Sequence, residues 1–458
     1  MSLVRIVSGS VTRSATQLHA NRFNPRLHDA NLTLLYQFDK YKSLAATDGL
    51  GPVIGITRTT DATYFDSSGI LQTAASGIPR FDHNPSTGES LGLLVETART
   101  NICLQSEDFT TTWVNNNTDE PTTNNTAPNN TATADEIAAT STADIVFSIF
   151  QSFTGRTAAE TTTISCYLKA GTNATFAQLV YDADGGGTDG FFCNFRLDDG
   201  TKGTVTAFAA GTATSSTIED IGNGWHRCSI TGKIAAGTVA RLTIVITDII
   251  TAAGFEAANL ADNDSIIMWG ADIEIGAFPT SYIKTAGSSV TRNADVVSTT
   301  DVSWYNSNAT TLYVDASVPF IGKAPDKFLI TISSQATSNR ITIFRQASGG
   351  GDASRIRVLT AATSGNTGSV QVDSQWADGQ SSKSAIGFAL DDLVYYFDGA
   401  QLGTDSTADV PIGVSRLNIG SGHDGGNQFN GHIAEIRYYN VRKNNQFLED
   451  LSNGIITA

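Results

Sequence analysis

Charge is scarce in this chain. Asp, Glu, Lys and Arg make up only 16% of its 458 residues, too few for the charge-laced faces of solvent-bridging helices. What charge there is leans one way, 45 acidic residues against 29 basic, for a net −16 that repels phosphate backbones and argues against direct nucleic-acid binding. No apolar run approaches the ~18 residues of a membrane span, so insertion into a membrane is not expected. The opening "MSLVRIVSGSVTRSATQLHANRF" carries basic residues without the apolar core of a secretory leader, and reads as an arm or first strand. Cysteine is nearly absent too. Cys103, Cys166, Cys193 and Cys228 form no C-x-x-C pair, which speaks against zinc, and strand-like surroundings such as "ISCYLKA" suit buried free thiols in a reducing cytoplasm.

Helical periodicity is missing almost everywhere. Only "NNQFLEDLSNG" (444–454) spaces Phe447 and Leu451 for a helix face, with Gly454 as a stop. In its place the chain has 42 glycines, many Thr, Ser, Asn and Ala, and alternating runs: "TISCYLKA", "RLTIVITDI", "LVYYFDG", "HIAEIRYYN". Turn clusters separate these runs at short intervals, so the fold class is all-β, consecutive antiparallel β-sandwiches behind an irregular N-terminal arm. Composition places the arm at 1–32, a first β module at 33–100, a second block at 101–297 and a third at 298–458. Within the second, "NNNTDEPTTNNTAPNNTATADE" (115–136) reads as a mobile low-complexity loop.

Three stretches together resemble a family. "TRTTDATYFDSSGILQTAASGIPRFDHNPSTGESLGLLVETARTNICLQSEDFTTTW" (57–113) is similar to the N-terminal module of virion proteins of tailed bacteriophages. The likeness rests on Ala-Thr-Tyr at 62–64, Pro-Arg-Phe-Asp at 79–82, Gly-Leu-Leu-Val-Glu at 92–96, Ala-Arg-Thr-Asn at 98–101, and 106–109 with Trp113. Downstream, 224–227, "WGADIE" at 269–274 and "PTSYI" at 279–283 resemble the carbohydrate-binding-module-like jelly roll that follows in such proteins. The last block, with 396–399 and "NGHIAEI" at 430–436, looks like a concanavalin A/laminin G-like lectin sandwich. The resemblance implies a virion protein, assembled in the bacterial cytoplasm, that is anchored to other virion proteins through residues 1–100. It would be a homo-oligomer, a trimer by family likeness, displaying its C-terminal sandwich to host surface glycans as a tail-fibre or spike-type adhesin. Two alternatives stay open: a head-decoration, head-fibre or otherwise purely structural virion protein, and a glycan-degrading tailspike.

Candidate chemistry is thin. "YDADGGGTDG" (181–190) offers Asp182, Asp184 and Asp189 around glycines, which reads either as a plain hairpin or as a calcium loop. It is not an EF-hand, since the twelfth position is Cys193. No other cofactor is implied. For sugar, a ring face for stacking and polar groups for hydroxyls are needed. Trp376, beside a turn, is the candidate platform, and the loop "GSGHDGGNQFNG" (420–431) supplies His423, Asp424 and Asn427. Trp225 and Trp269 are expected in the core, and Trp113 and Trp304 at packed junctions. There is no H-E-x-x-H and no G-x-S-x-G, so the chain is not expected to be an enzyme and no catalytic residue is assigned. Arg80, Asp82, Glu96 and Arg99 are expected to form a charge-paired turn fixing how the first module meets the next.

Overall fold

The structure, a computed structural model, describes residues 29–456 except 155–159, 184, 236–238, 319–325, 347–354, 362–366, 374–375 and 377–378. Most of the arm expected at 1–32 lies outside the described residues. Antiparallel strands dominate, as the alternation requires, in several sheets. The helix expected near the C-terminus is Asn445–Ser452. Its N-cap Asn444 accepts from the Phe447 N–H at 2.9 Å, and Gly454 follows at φ 71°, beyond what a side chain tolerates easily. Among the described residues no helix is long and apolar enough to cross a membrane.

Residues from about 100 to 285 build one sandwich. One sheet runs Thr212–Gly222, Trp225–Lys233, Thr162–Ala170, Ser265–Ile275, Ala134–Ala138, Thr122–Asn125. The facing sheet runs Thr201–Lys202, Gly190–Arg196, Phe176–Asp182, Val239–Thr247, Phe147–Thr154, Val114–Asn116. Because side chains alternate, Ile164, Cys166 and Leu168 share a face and meet Leu179, Phe195 and Ile244 from across. All four cysteines are free and buried here. Burial pushes the Cys166 thiol up to about 12, which makes it packing material rather than a nucleophile.

The low-complexity stretch is not simply a loop. Ala134–Ala138 pairs with Ser265–Ile275, and Thr122–Asn125 pairs with it in turn as the edge strand of the first sheet. Two tryptophans tie the turn between them down: Trp225 Nε1 donates to the Thr126 carbonyl and Trp269 Nε1 to Thr133 Oγ1, each at 3.1 Å. Composition overlooked this because Thr and Asn side chains can satisfy an edge strand as well as a solvated coil.

The second sandwich redraws the boundary expected at residue 100. Its first sheet runs Ala400–Asp405, Asp392–Phe397, Ser381–Ala389, Ala309–Ser317, Gly431–Tyr439, Ser90–Val95, Phe81–His83. Leu32–Gln37 lies beside Ser90–Val95 along the same edge of Gly431–Tyr439. Gly55–Thr57 pairs with Val296–Thr299 at one end of the other sheet, which continues through Arg416–Ile419, Lys327–Ser333 and Arg340–Gln346. Leu34, Tyr36, Leu93 and Val95 therefore sit in one core with Leu312, Ile332 and Ile436. Leu32–Gln37, Gly55–Thr57, Phe81–His83 and Ser90–Val95 complete the C-terminal sandwich, while the hairpin Ala62–Phe65/Leu71–Ala74 packs its Phe65 and Leu71 against Trp225 and Trp269 of the other one. Arg99–Asn101 and Val290–Arg292 pair side by side where the chain leaves and returns, so the other sandwich is an insertion.

Candidate functional site

Trp376 is not a platform. Its ring is 2% exposed, packs on Phe397 and Phe429 at centroid distances of 5.7 and 5.6 Å, and donates Nε1–H to the Gln380 carbonyl at 2.8 Å. A sugar needs an open ring face, and burial between two phenylalanines closes this one. Trp376 instead supports the 420–431 loop from beneath, through Phe429. On that loop Asp424 and Asn427 are exposed and His423 half-buried, with His423 Nδ1 3.5 Å from Arg340 Nη1. The loop bonds to itself: Gly422 N–H to the Gly426 carbonyl at 2.8 Å, and Gly426 N–H to Asp424 Oδ1 at 3.0 Å. His423, Asp424 and Asn427 thus gather on one loop.

In the 181–190 hairpin Asp184 lies outside the described residues. Asp182 is buried 3.7 Å from Arg241 Nε, and Asp189 accepts the Ala235 N–H at 2.8 Å. Arg241 also donates to the Gly185 carbonyl at 2.6 Å and lies over the Phe150 ring. Where a calcium loop would need open carboxylates, two of the three already face a guanidinium or a backbone N–H.

The stretch 79–101 divides by alternation. Arg80 points inward and is fully buried, donating to Glu96 at 2.7 Å, to Asp295, and to Ser281 Oγ at 2.7 Å. Arg58 reaches Asp295 at 2.8 Å, and Arg292 pairs with Glu96 and donates to the Thr97 carbonyl at 2.6 Å. Burial alone would raise Glu96, but Arg292 and Arg80 beside it, with the Ser281 bonds, hold its carboxyl well below the usual range. Residues from both sandwiches meet in this cluster, as the expected joint requires. Asp82 and Arg99 take other roles: Asp82 bonds His432 Nε2 at 2.8 Å and the Phe65 N–H at 2.7 Å, while Arg99 lies over Phe278.

The other face of the same strand opens on a groove of about 530 Å³, within the size range of small-ligand sites. Pro79, Phe81 and His83 line it, opposed by Tyr64, Asp66 and Ser67, with Gly88, Ser90 and Lys42 completing the wall. Phe81 is backed by Phe38 at 6.4 Å. His83 Nδ1 bonds the Phe65 carbonyl at 3.0 Å, which leaves Nε2 as its other polar atom. Lys42, a left-handed cap at φ 47°, is exposed on the rim. Sequence reasoning passed over this site because it weighed the strand for its charges. The signal was the odd positions, Pro79, Phe81 and His83, standing out of phase with Arg80 and Asp82.

No protein-family model matches the sequence, and no curated protein does. Among solved structures the chain is similar to the CBM40 module of the Ruminococcus gnavus IT-sialidase bound to α2,3 sialyllactose (TM-score 0.28, 12% identity, 32% of this chain and 83% of that one). It is also similar to domain 4 of an extracellular arabinanase from Geobacillus stearothermophilus in complex with arabinotriose (0.27, 14%, 38% and 82%). A third is the LG4-5 pair of the mouse laminin α1 chain (0.20, 9%, 65% and 85%).

Proposed function

We propose that the protein is a tailed-phage virion structural protein that binds host-surface glycans and does not cleave them. The observation that carries the binding half is the groove at 64–90. Two aromatic side chains, Tyr64 and Phe81, stand among hydroxyl, imidazole and ammonium groups, the pairing that a sugar's C–H face and hydroxyls call for. The virion half rests on the resemblance of 57–113. The buried joint suits this role, because a displayed module must hold its orientation under load. Copies arrayed on one particle, as a trimer or higher oligomer, would turn weak single sites into avid contact.

The test uses purified protein and intact host-surface polysaccharide. Retention of the polysaccharide with its chain length unchanged supports the proposal. Shortened chains would make the protein a depolymerase. Gold-labelled antibody on intact particles places the chain: label at the tail supports an adhesin, and label confined to the head makes it a decoration protein.

A further inference from the structure

We propose that the groove selects acidic saccharides, with Lys42 meeting the sugar carboxylate. This rests on the glycan-binding reading above and adds the ligand's charge. The case is an inventory of what the lining has left to offer. Asp66 is the one carboxylate among the lining residues, and three of its about four acceptor positions are taken: Oδ1 accepts the Ser68 and Ile70 N–H groups at 2.8 and 3.1 Å, and Oδ2 the Gln72 amide at 2.8 Å. Neutral sugars present many hydroxyl donors, which need acceptors, and a site whose carboxylate is already engaged serves them poorly. Lys42 is in the opposite position. Its Nζ donates to the Asp39 carbonyl at 2.6 Å, but among the described residues it has no carboxylate partner, leaving a cation with two donors to spare at the rim.

The remaining polar atoms can act as donors as well. The Tyr64 hydroxyl, in the groove wall, has no hydrogen-bond partner among the described residues. A ligand rich in acceptors satisfies it, and a carboxylate is such a group. Two charges oppose it. Asp66 repels an anion, and its bonds from the Ser68 and Ile70 N–H groups and the Gln72 amide keep it ionised, so the ligand carboxylate must sit on the Lys42 side of the groove. The chain's net −16 also repels, yet at physiological salt a field is largely screened beyond about 8 Å, so direct contact with Lys42 decides.

The experiment uses the full chain and an array of uronic-acid-bearing bacterial polysaccharides. Each is printed beside its carboxyl-reduced form, in which the carboxylate has become an alcohol with the ring unchanged. The acidic members should bind about tenfold tighter than their reduced partners. Lys42→Gln, an exposed change that should leave the melting temperature alone, should abolish that difference. Tyr64→Ala should weaken both forms. Equal affinity for the paired forms, or a difference that survives Lys42→Gln, overturns the charge selection while leaving glycan binding standing. Binding untouched by Tyr64→Ala moves the site out of the groove. No retention of any member overturns the glycan reading and the selection together.

Discussion

Asn101 shows what one residue does at the joint. Its amide is fully buried and uses every bond it has: Nδ2 donates to the carbonyls of Ala271 and Ile283 at 3.1 and 2.8 Å, while Oδ1 accepts from Cys103 and Ile273 at 2.9 and 3.0 Å. Asn101→Ala strands four buried backbone groups, each worth about 1–3 kcal/mol when unmet, so a loss of at least ~3 kcal/mol is expected in urea unfolding. Asn101→Asp should fare no better, because it aims an anion at two carbonyls; wild-type stability in that variant would refute the account. Glu96 adds a pH signature. Its folded-state carboxyl is depressed from a usual 4.5, so its stabilising contribution is whole above that value and drains away as acidification proceeds through the folded value. Glu96→Gln should lower the neutral-pH melting temperature, since breaking a buried pair costs about 3–5 kcal/mol, and should flatten the acid limb of the melting-temperature curve. A variant with an unchanged acid limb would show that other carboxylates set it. At this scale the sequence was half legible. The pairing of Arg80 with Glu96 could be read from it, but Arg58, Arg292 and Asp295 could not, because they arrive from segments as distant as 237 residues.

Elements show why polar spacing alone misleads. Aspartates at 182, 184 and 189 around glycines suit a calcium loop equally well on paper and a hairpin held by a neighbouring strand. Arg241, on Val239–Thr247, lies opposite Asp182 in the pairing register and brings the cation that the loop would otherwise recruit. Calcium and a chelator should therefore leave the wild-type melting temperature unchanged. Arg241→Ala should lower it, and calcium should then restore part of the loss. A calcium-dependent rise in the wild type would show instead that the carboxylates stay open to metal. Trp376 teaches the same lesson with an aromatic: a turn beside a tryptophan says nothing about which side of the sheet the ring takes, and here it faces Phe397 and Phe429. The strand Phe81–His83 is the opposite case. Its alternation was visible in the sequence, and with the two residues before it the strand separates Arg80, in the joint, from Pro79, Phe81 and His83, in the groove, along a single backbone.

For the whole molecule, fold class was legible and connectivity was not. Alternation and turns are local, whereas the pairing of Leu32–Gln37 with Gly431–Tyr439 joins residues about 400 apart and leaves no local trace. The consequence can be tested by cutting. A fragment of 298–458 keeps every strand that looked like a complete lectin sandwich, yet it lacks Leu34, Tyr36, Leu93 and Val95, four side chains buried in the shared core. At about 1.5–3 kcal/mol each, they rival the entire net stability of a domain. The fragment would also bare one edge of Gly431–Tyr439, a template for aggregation. It should be insoluble or lack a cooperative thermal transition. Because Arg99–Asn101 and Val290–Arg292 already lie side by side, joining 29–101 to 290–458 through a short Asn-Gly turn should restore a soluble, cooperatively melting sandwich. Cooperative melting of 298–458 alone would show that the N-terminal strands decorate the sandwich instead of completing it.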